Sequence, residues 1–144
     1  MAGYSGTPLP QKLGIKPGFK VALSPLPSDV HKDLEAALGN CDMATKSNVP
    51  LDLVLNFVTK KKDLLAAFLR WASRLTPAGM LWIAWPKKSS GVETDLDENK
   101  IRDIGLAAGL VDVKVCAISE TWSGLKFVRR VKDRAKSAKT NAVR

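Results

Sequence analysis

The sequence predicts a three-layer α/β domain: a mostly parallel sheet with helices on both faces and an antiparallel hairpin at its C-terminal end. Three observations predict it. Strand-like apolar runs and helix-like periodicities alternate along the chain, and that alternation is the signature of a parallel sheet wrapped by helices. LDLVLNFV (51–58) and MLWIAW (80–85) are near-continuous apolar runs, as expected of strands buried on both faces. The last two strand-like segments are joined by the short connection ETWSG (120–124), which suits a hairpin.

Each element can be justified in order. Thr7 and Pro8 suit the start of a short helix, with Thr7 as N-cap, and Gly14 suits its end. Lys16-Pro17-Gly18 marks a turn. FKVALSP (19–25) reads as a strand ended by Pro25 and Pro27. Ser28 is placed to cap a helix over DVHKDLEAALG, with Gly39 past its end. NCDMATKSNVP (40–50) carries at most a short edge strand. After the strand 51–58, Thr59 is expected to cap a helix whose buried face is Leu64, Phe68, Trp71 and Leu75. TPAG (76–79) reads as a turn into the strand 80–85, which places Trp82 and Trp85 in the core. Asp95 and Glu98 have capping-box spacing ahead of a helix over 96–109 that ends at Gly109. DVKVCAIS (112–119) and LKFVRR (125–130) complete the sheet.

At 144 residues, the chain fits one domain, read here as 1–130 with a basic, disordered tail at 131–144. Its 45% hydrophobic and 26% charged residues exclude a disordered chain. Cys41 and Cys116 lie far apart with no metal-ligand spacing, so no metal is expected and Cys116 reads as a buried free thiol. No segment resembles a signal peptide or a membrane span, so the expected location is cytoplasmic, with no membrane partner. Residues 129–144 hold seven Lys/Arg and one Asp, a net of +6 out of +9 for the chain. Such a segment binds nucleic acid weakly and without sequence preference, through counterion release, or simply aids solubility.

LTPAGMLWIAW, a helix ending LAAGL, and VDVKVCAISETWSGLKFVRR together resemble the second half of a Rossmann-type, S-adenosylmethionine-dependent methyltransferase domain. Such domains carry a glycine-rich loop after the first strand and an acidic residue after the second. Here the first loop is Ser24-Pro25-Leu26-Pro27-Ser28-Asp29, without glycine, and Asp42 is a poor match for the acidic residue; no cofactor is therefore expected. Over nearly the whole chain, YSGTPLPQKLGIKPG, LWIAWPKKSSGVETDL and GLVDVKVCAISETWSGLKFVRR resemble the bacterial domain-of-unknown-function family DUF3052. That resemblance implies a small Rossmann-like domain of bacterial origin and no particular activity.

Open α/β sheets take ligands beyond the carboxyl ends of their strands. This sequence places Lys60 and Lys61 there, then Lys87, Lys88, Ser89 and Ser90, then Glu120, Thr121 and Trp122. Ser24, Ser28, Asp29 and His31 follow the first strand and are further candidates. Lysines, hydroxyls and free backbone N–H groups suit an anion, and Trp122 offers a stacking surface. PKKSSG is not a phosphate-binding P-loop, which needs its glycines before the lysine. His31 is the single histidine and has no placed acid–base partner, so no catalytic residue is assigned. The carboxylates Asp95, Asp97 and Glu98 are accounted for by a helix N-terminus. The leading expectation is a non-catalytic domain that binds a small anion or a protein partner. A divergent methyltransferase and a nucleic-acid-associated protein are the alternatives.

Overall fold

The computed structural model describes residues 6–44 and 49–134. Its elements are α1 (Leu9–Leu13), β1 (Lys20–Leu23), α2 (Ser28–Leu38), β2 (Asp42–Met43), β3 (Leu51–Phe57), α3 (Lys61–Trp71), β4 (Leu75–Pro86), α4 (Glu98–Ala107), β5 (Leu110–Ala117) and β6 (Trp122–Arg129). The six strands form one sheet in the order β2-β1-β3-β4-β6-β5. The first four are mutually parallel, and β6 runs antiparallel to both β4 and β5. The predicted fold is therefore the observed one, with β6 slotted beside β4 and β5 at the edge.

The apolar runs segregate into two cores. Leu64, Phe68 and Trp71 of α3 and Ile101 of α4 pack with Val54, Leu81, Ile83 and Phe127 on one face of the sheet. Leu9 and Leu13 of α1 and Val30 and Leu34 of α2 pack with Leu53, Leu55 and Trp82 on the other. Successive side chains of a strand point to opposite faces, so a central strand is apolar at most positions; the exceptions in β3, Asp52 and Asn56, are only partly buried and hydrogen-bonded. Trp82 and Trp85 are buried as expected, and the Trp82 indole N–H donates to the carbonyl of Leu13 at 2.9 Å. Cys116 is only half-buried, because it lies on the edge strand β5; both cysteines are free thiols. Its thiol is pushed above the usual value, mainly by burial, against the opposing effect of Lys12 and Lys114.

Helix starts are where the sequence reading needs correction. Pro8, not Thr7, holds the N-cap position of α1. Pro27 does so for α2, which puts Ser28 inside the helix. Lys60, not Thr59, precedes α3. The cap of α4 is Asp97, whose carboxylate accepts from Lys100 N–H at 2.8 Å, two residues later than the Asp95–Glu98 spacing suggested. TPAG is no turn: residues 76–79 lie within β4, where Leu51 pairs with Leu75 and Leu53 with Met80, so the extra residues bulge out of register. Asp52 on β3 holds this irregular start in place, accepting from Lys20 N–H at 2.8 Å on one side and from the Thr76 hydroxyl on the other. Leu75 consequently begins β4 rather than extending the face of α3.

Residues 131–134 form one helical turn after β6. The remainder of the basic tail, 135–144, lies outside the described residues. Among the described residues no helix is long and apolar enough to cross a membrane.

Candidate functional site

β1, β3, β4 and β5 all point the same way, so the four loops that follow them share one edge of the sheet. That is the edge where the sequence placed its candidate residues, and the structure gives each loop a distinct state.

The loop after β1 is tied down. Ser24 N–H donates to the carbonyl of Leu55 at 3.0 Å, and the Ser24 hydroxyl accepts from Phe57 N–H at 2.8 Å. Both bonds run to β3 and extend the β1–β3 pairing past the end of β1. Pro25 and Pro27 have no N–H to offer. Ser28 and Asp29 sit exposed in the first turn of α2. His31 is exposed, with Nδ1 3.7 Å from Glu35 one turn further along the same helix. Nothing in that geometry makes it an acid or base for a substrate.

The loop after β3 is already paired with a carboxylate. Lys61 N–H at the start of α3 donates to Asp95 Oδ1 at 2.9 Å. The Thr94 hydroxyl donates to the Thr59 carbonyl, and Asp95 N–H reaches the same carbonyl at 3.4 Å. An anion at a helix N-terminus is favourable, and here the protein supplies it from 34 residues away in sequence. Lys60, Glu93, Thr94 and Asp95 line an open cleft of ≈ 290 Å³ at this point. Glu93 and Thr94 were not legible as site residues, because no motif links 93–95 to Lys60; only the folded loop brings them together.

After β4, Lys87 N–H donates to the Thr121 carbonyl at 2.8 Å, joining this loop to the β5–β6 connection. Residues Lys88–Ser90 form a 3-10 turn closed by Gly91 at φ 76°, a left-handed conformation that favours glycine. The Ser90 hydroxyl donates to the Lys87 carbonyl at 2.6 Å and accepts from Val92 N–H at 3.2 Å, so it shapes the loop. Lys88 and Ser89 are exposed. In the last connection, buried Ser119 accepts from Thr121 and Trp122 N–H groups through its hydroxyl, while Glu120 is exposed. Trp122 is half-buried and meets Phe57 edge-on, ring centres 4.9 Å apart. The lysine loops after β3 and β4 are thus neighbours, whereas Ser24 is bonded to β3 and His31 faces Glu35 of its own helix.

Residues 10–131 match the protein-family model described as "Protein of unknown function (DUF3052)". No curated protein sequence matches the chain. Solved structures with the same fold include a ribosomal protein L11 methylase from Lactobacillus delbrueckii subsp. bulgaricus. It is 12% identical with a TM-score of 0.52, over 85% of this chain and 75% of that one. A fibrillarin pre-rRNA processing protein from Methanococcus jannaschii is 14% identical with a TM-score of 0.51, over 80% and 68% of the two chains. A SAM-dependent methyltransferase from Aquifex aeolicus is 16% identical with a TM-score of 0.51, over 81% and 85%. At such identities the likeness shows a Rossmann-like, methyltransferase-like fold and nothing about activity.

That fold raises the question of S-adenosylmethionine, and the residues present do not fit it. The loop after β1 offers prolines and a serine already bonded to β3 where a cofactor needs open backbone. Asp42 pairs in register with Lys20 at the opposite end of β1 from that loop, and its carboxylate sits 3.7 Å from the Lys20 ammonium. Residues 44–50 after β2 contain no Asp or Glu.

Proposed function

The chain belongs to the DUF3052 family, and from that premise we propose that it is a non-catalytic binding domain on a methyltransferase-like scaffold. Its ligand is a small molecule with an anionic group, taken at the carboxyl edge of β3 and β4. The observation that carries this reading is the closed β1–α2 loop, in which Ser24 fastens to Leu55 and Phe57 between two prolines. It leaves the β3–β4 side as the open part of the edge. Lys60, Lys87 and Lys88 supply charge there, and the backbone of the Lys88–Ser90 turn supplies donors. Glu93 and Asp95 give the cleft carboxylates as well, so the ligand that suits it also carries a donor or cationic group. The backbone N–H of Lys61 is not open to the ligand, because Asp95 already accepts from it, while its exposed ammonium adds positive charge at the same edge.

A thermal-shift panel at low salt tests this, with S-adenosylmethionine, nucleotides, sugar phosphates and amino-acid phosphates. A ligand at about 100 times its Kd stabilises by about 2.7 kcal/mol, which moves the midpoint by several degrees. The expected result is a shift with one small anion that disappears in Lys60→Ala and in Lys87→Ala/Lys88→Ala. A shift with S-adenosylmethionine, followed by methyl transfer, replaces this reading with the divergent methyltransferase. That competing reading is supported by the fold likeness alone.

A further inference from the structure

A second basic site lies away from the carboxyl-edge cleft, on the α1 face of the hairpin. Lys114 of β5 stands directly opposite Lys126 of β6, and Lys126 in turn stands opposite Trp82 of β4. Lys12 of α1 completes the group. The Lys114 ammonium donates to the Lys12 carbonyl at 3.3 Å, and the Lys12 ammonium donates to the Ala117 carbonyl at 3.0 Å. Like charges directly opposite one another on neighbouring strands repel. Among the described residues, no carboxylate forms an ion pair with Lys114 or Lys126.

Lys126 is also half-buried, which makes its charge harder to hold. Burial first, and Lys114 second, pull its ammonium below the usual range. The same positive field is felt at Cys116, the next residue along this face of β5, where Lys12 and Lys114 both favour the thiolate. The contacts made by Lys12 and Lys114 tie α1 to the sheet, whereas among the described residues Lys126 has no hydrogen bond or ion pair to offset its burial and its repulsion from Lys114. A lysine there is useful when an anion bridges it to Lys114.

We propose that Lys114 and Lys126, with Lys12 at their side, bind the phosphate group of a small phosphate ester. A phosphate dianion has several oxygens to accept from two ammonium groups at once, and its charge cancels both. A carboxylate has one charge and leaves one lysine uncompensated. The site is separate from the Lys60–Asp95 cleft, so the two stand or fall independently.

The test is calorimetric titration of the full chain with inorganic pyrophosphate, with a nucleoside monophosphate and with a short oligoribonucleotide. Binding of pyrophosphate or of the monophosphate is expected to weaken about tenfold in Lys126→Met, to survive in Lys126→Arg, and to be unchanged in Lys87→Ala/Lys88→Ala. Equal affinity for the two small ligands identifies the phosphate group alone as the determinant; tighter binding of the monophosphate adds a contact to the nucleoside. The unliganded Lys126→Met protein is expected to melt higher than the parent, since it loses the repulsion, yet to lose stabilisation by pyrophosphate. No binding, binding indifferent to Lys126→Met, binding of the oligoribonucleotide alone, or a lower melting point for unliganded Lys126→Met overturns the proposal.

Discussion

The two halves of the sheet are built differently. On one side β1 has four residues and β2 two, with both β2 side chains exposed. On the other, β4 has twelve and β5 and β6 eight each. The long half is interlocked with its helices. Gly105 of α4 lies so close to Phe127 that an added Cβ would fall 2.1 Å from the ring, and Arg102 of α4 bonds Asp112 of β5 at 2.8 Å and Glu98 one turn back. The short half contains the topological switch point between β1 and β3, where such folds take cofactors, and there Ser24 and two prolines close the gap. The difference teaches that this scaffold puts its packing into the hairpin half and leaves a short, proline-bounded loop at the switch point.

Mutations can sharpen that contrast. The largest effect is expected for Trp82→Ala in the long half, at about 3–5 kcal/mol in urea unfolding, because a fully buried ring and its bond to Leu13 are lost together. A smaller value would mean that α1 and the sheet collapse around the cavity. Gly105→Ala should destabilise by about 1–3 kcal/mol through overpacking against Phe127, although helix propensity alone favours alanine by about 1 kcal/mol. Phe127→Leu in the same chain should recover part of that loss. A neutral Gly105→Ala would break the interlocking argument.

In the short half, Ser24→Ala removes the acceptor of Phe57 N–H and should cost about 1 kcal/mol, with no gain in S-adenosylmethionine affinity. Measurable cofactor binding in that variant would show that the hydroxyl alone had closed the gap. The smallest effect is a pH dependence. Lys126 has a depressed folded-state value, so its penalty is full below that value, where both states are protonated. The penalty is relieved as pH rises through the folded value toward 10.5, the ordinary value. The melting-point advantage of Lys126→Met is therefore expected to be greatest near neutral pH and to shrink toward pH 10.5. A gap that stays constant would show that Lys126 pays no electrostatic penalty.

Much of this was legible in the chain. Runs such as 51–58 and 80–85 announced strands buried on both faces, since a two-sided strand reads as a near-continuous apolar run, here broken only by Asp52 and Asn56. The helix starts were less legible, because Thr7, Ser28, Thr59 and Asp95 all have capping chemistry and differ from the true cap positions by one or two residues. Composition marks a helix start within a turn; backbone dihedrals decide the residue. Of the candidate site, the lysine loops after β3 and β4 were readable from strand polarity alone. Glu93 and Thr94 were not, because the bonds that place them beside Lys60 join residues about 35 apart in sequence.

By itself, then, the sequence determined the order and type of elements, the two-sided core and the edge on which loops gather, because hydrophobic periodicity is local and additive. Only the tertiary structure decided what those loops are free to do. It spent Ser24 on β3, Asp95 on the first amide of α3 and Ser90 on its own loop, and it set Lys114 against Lys126. A side chain has few hydrogen-bonding sites and one charge, and which neighbour takes them depends on strand register and loop closure, which no local pattern encodes.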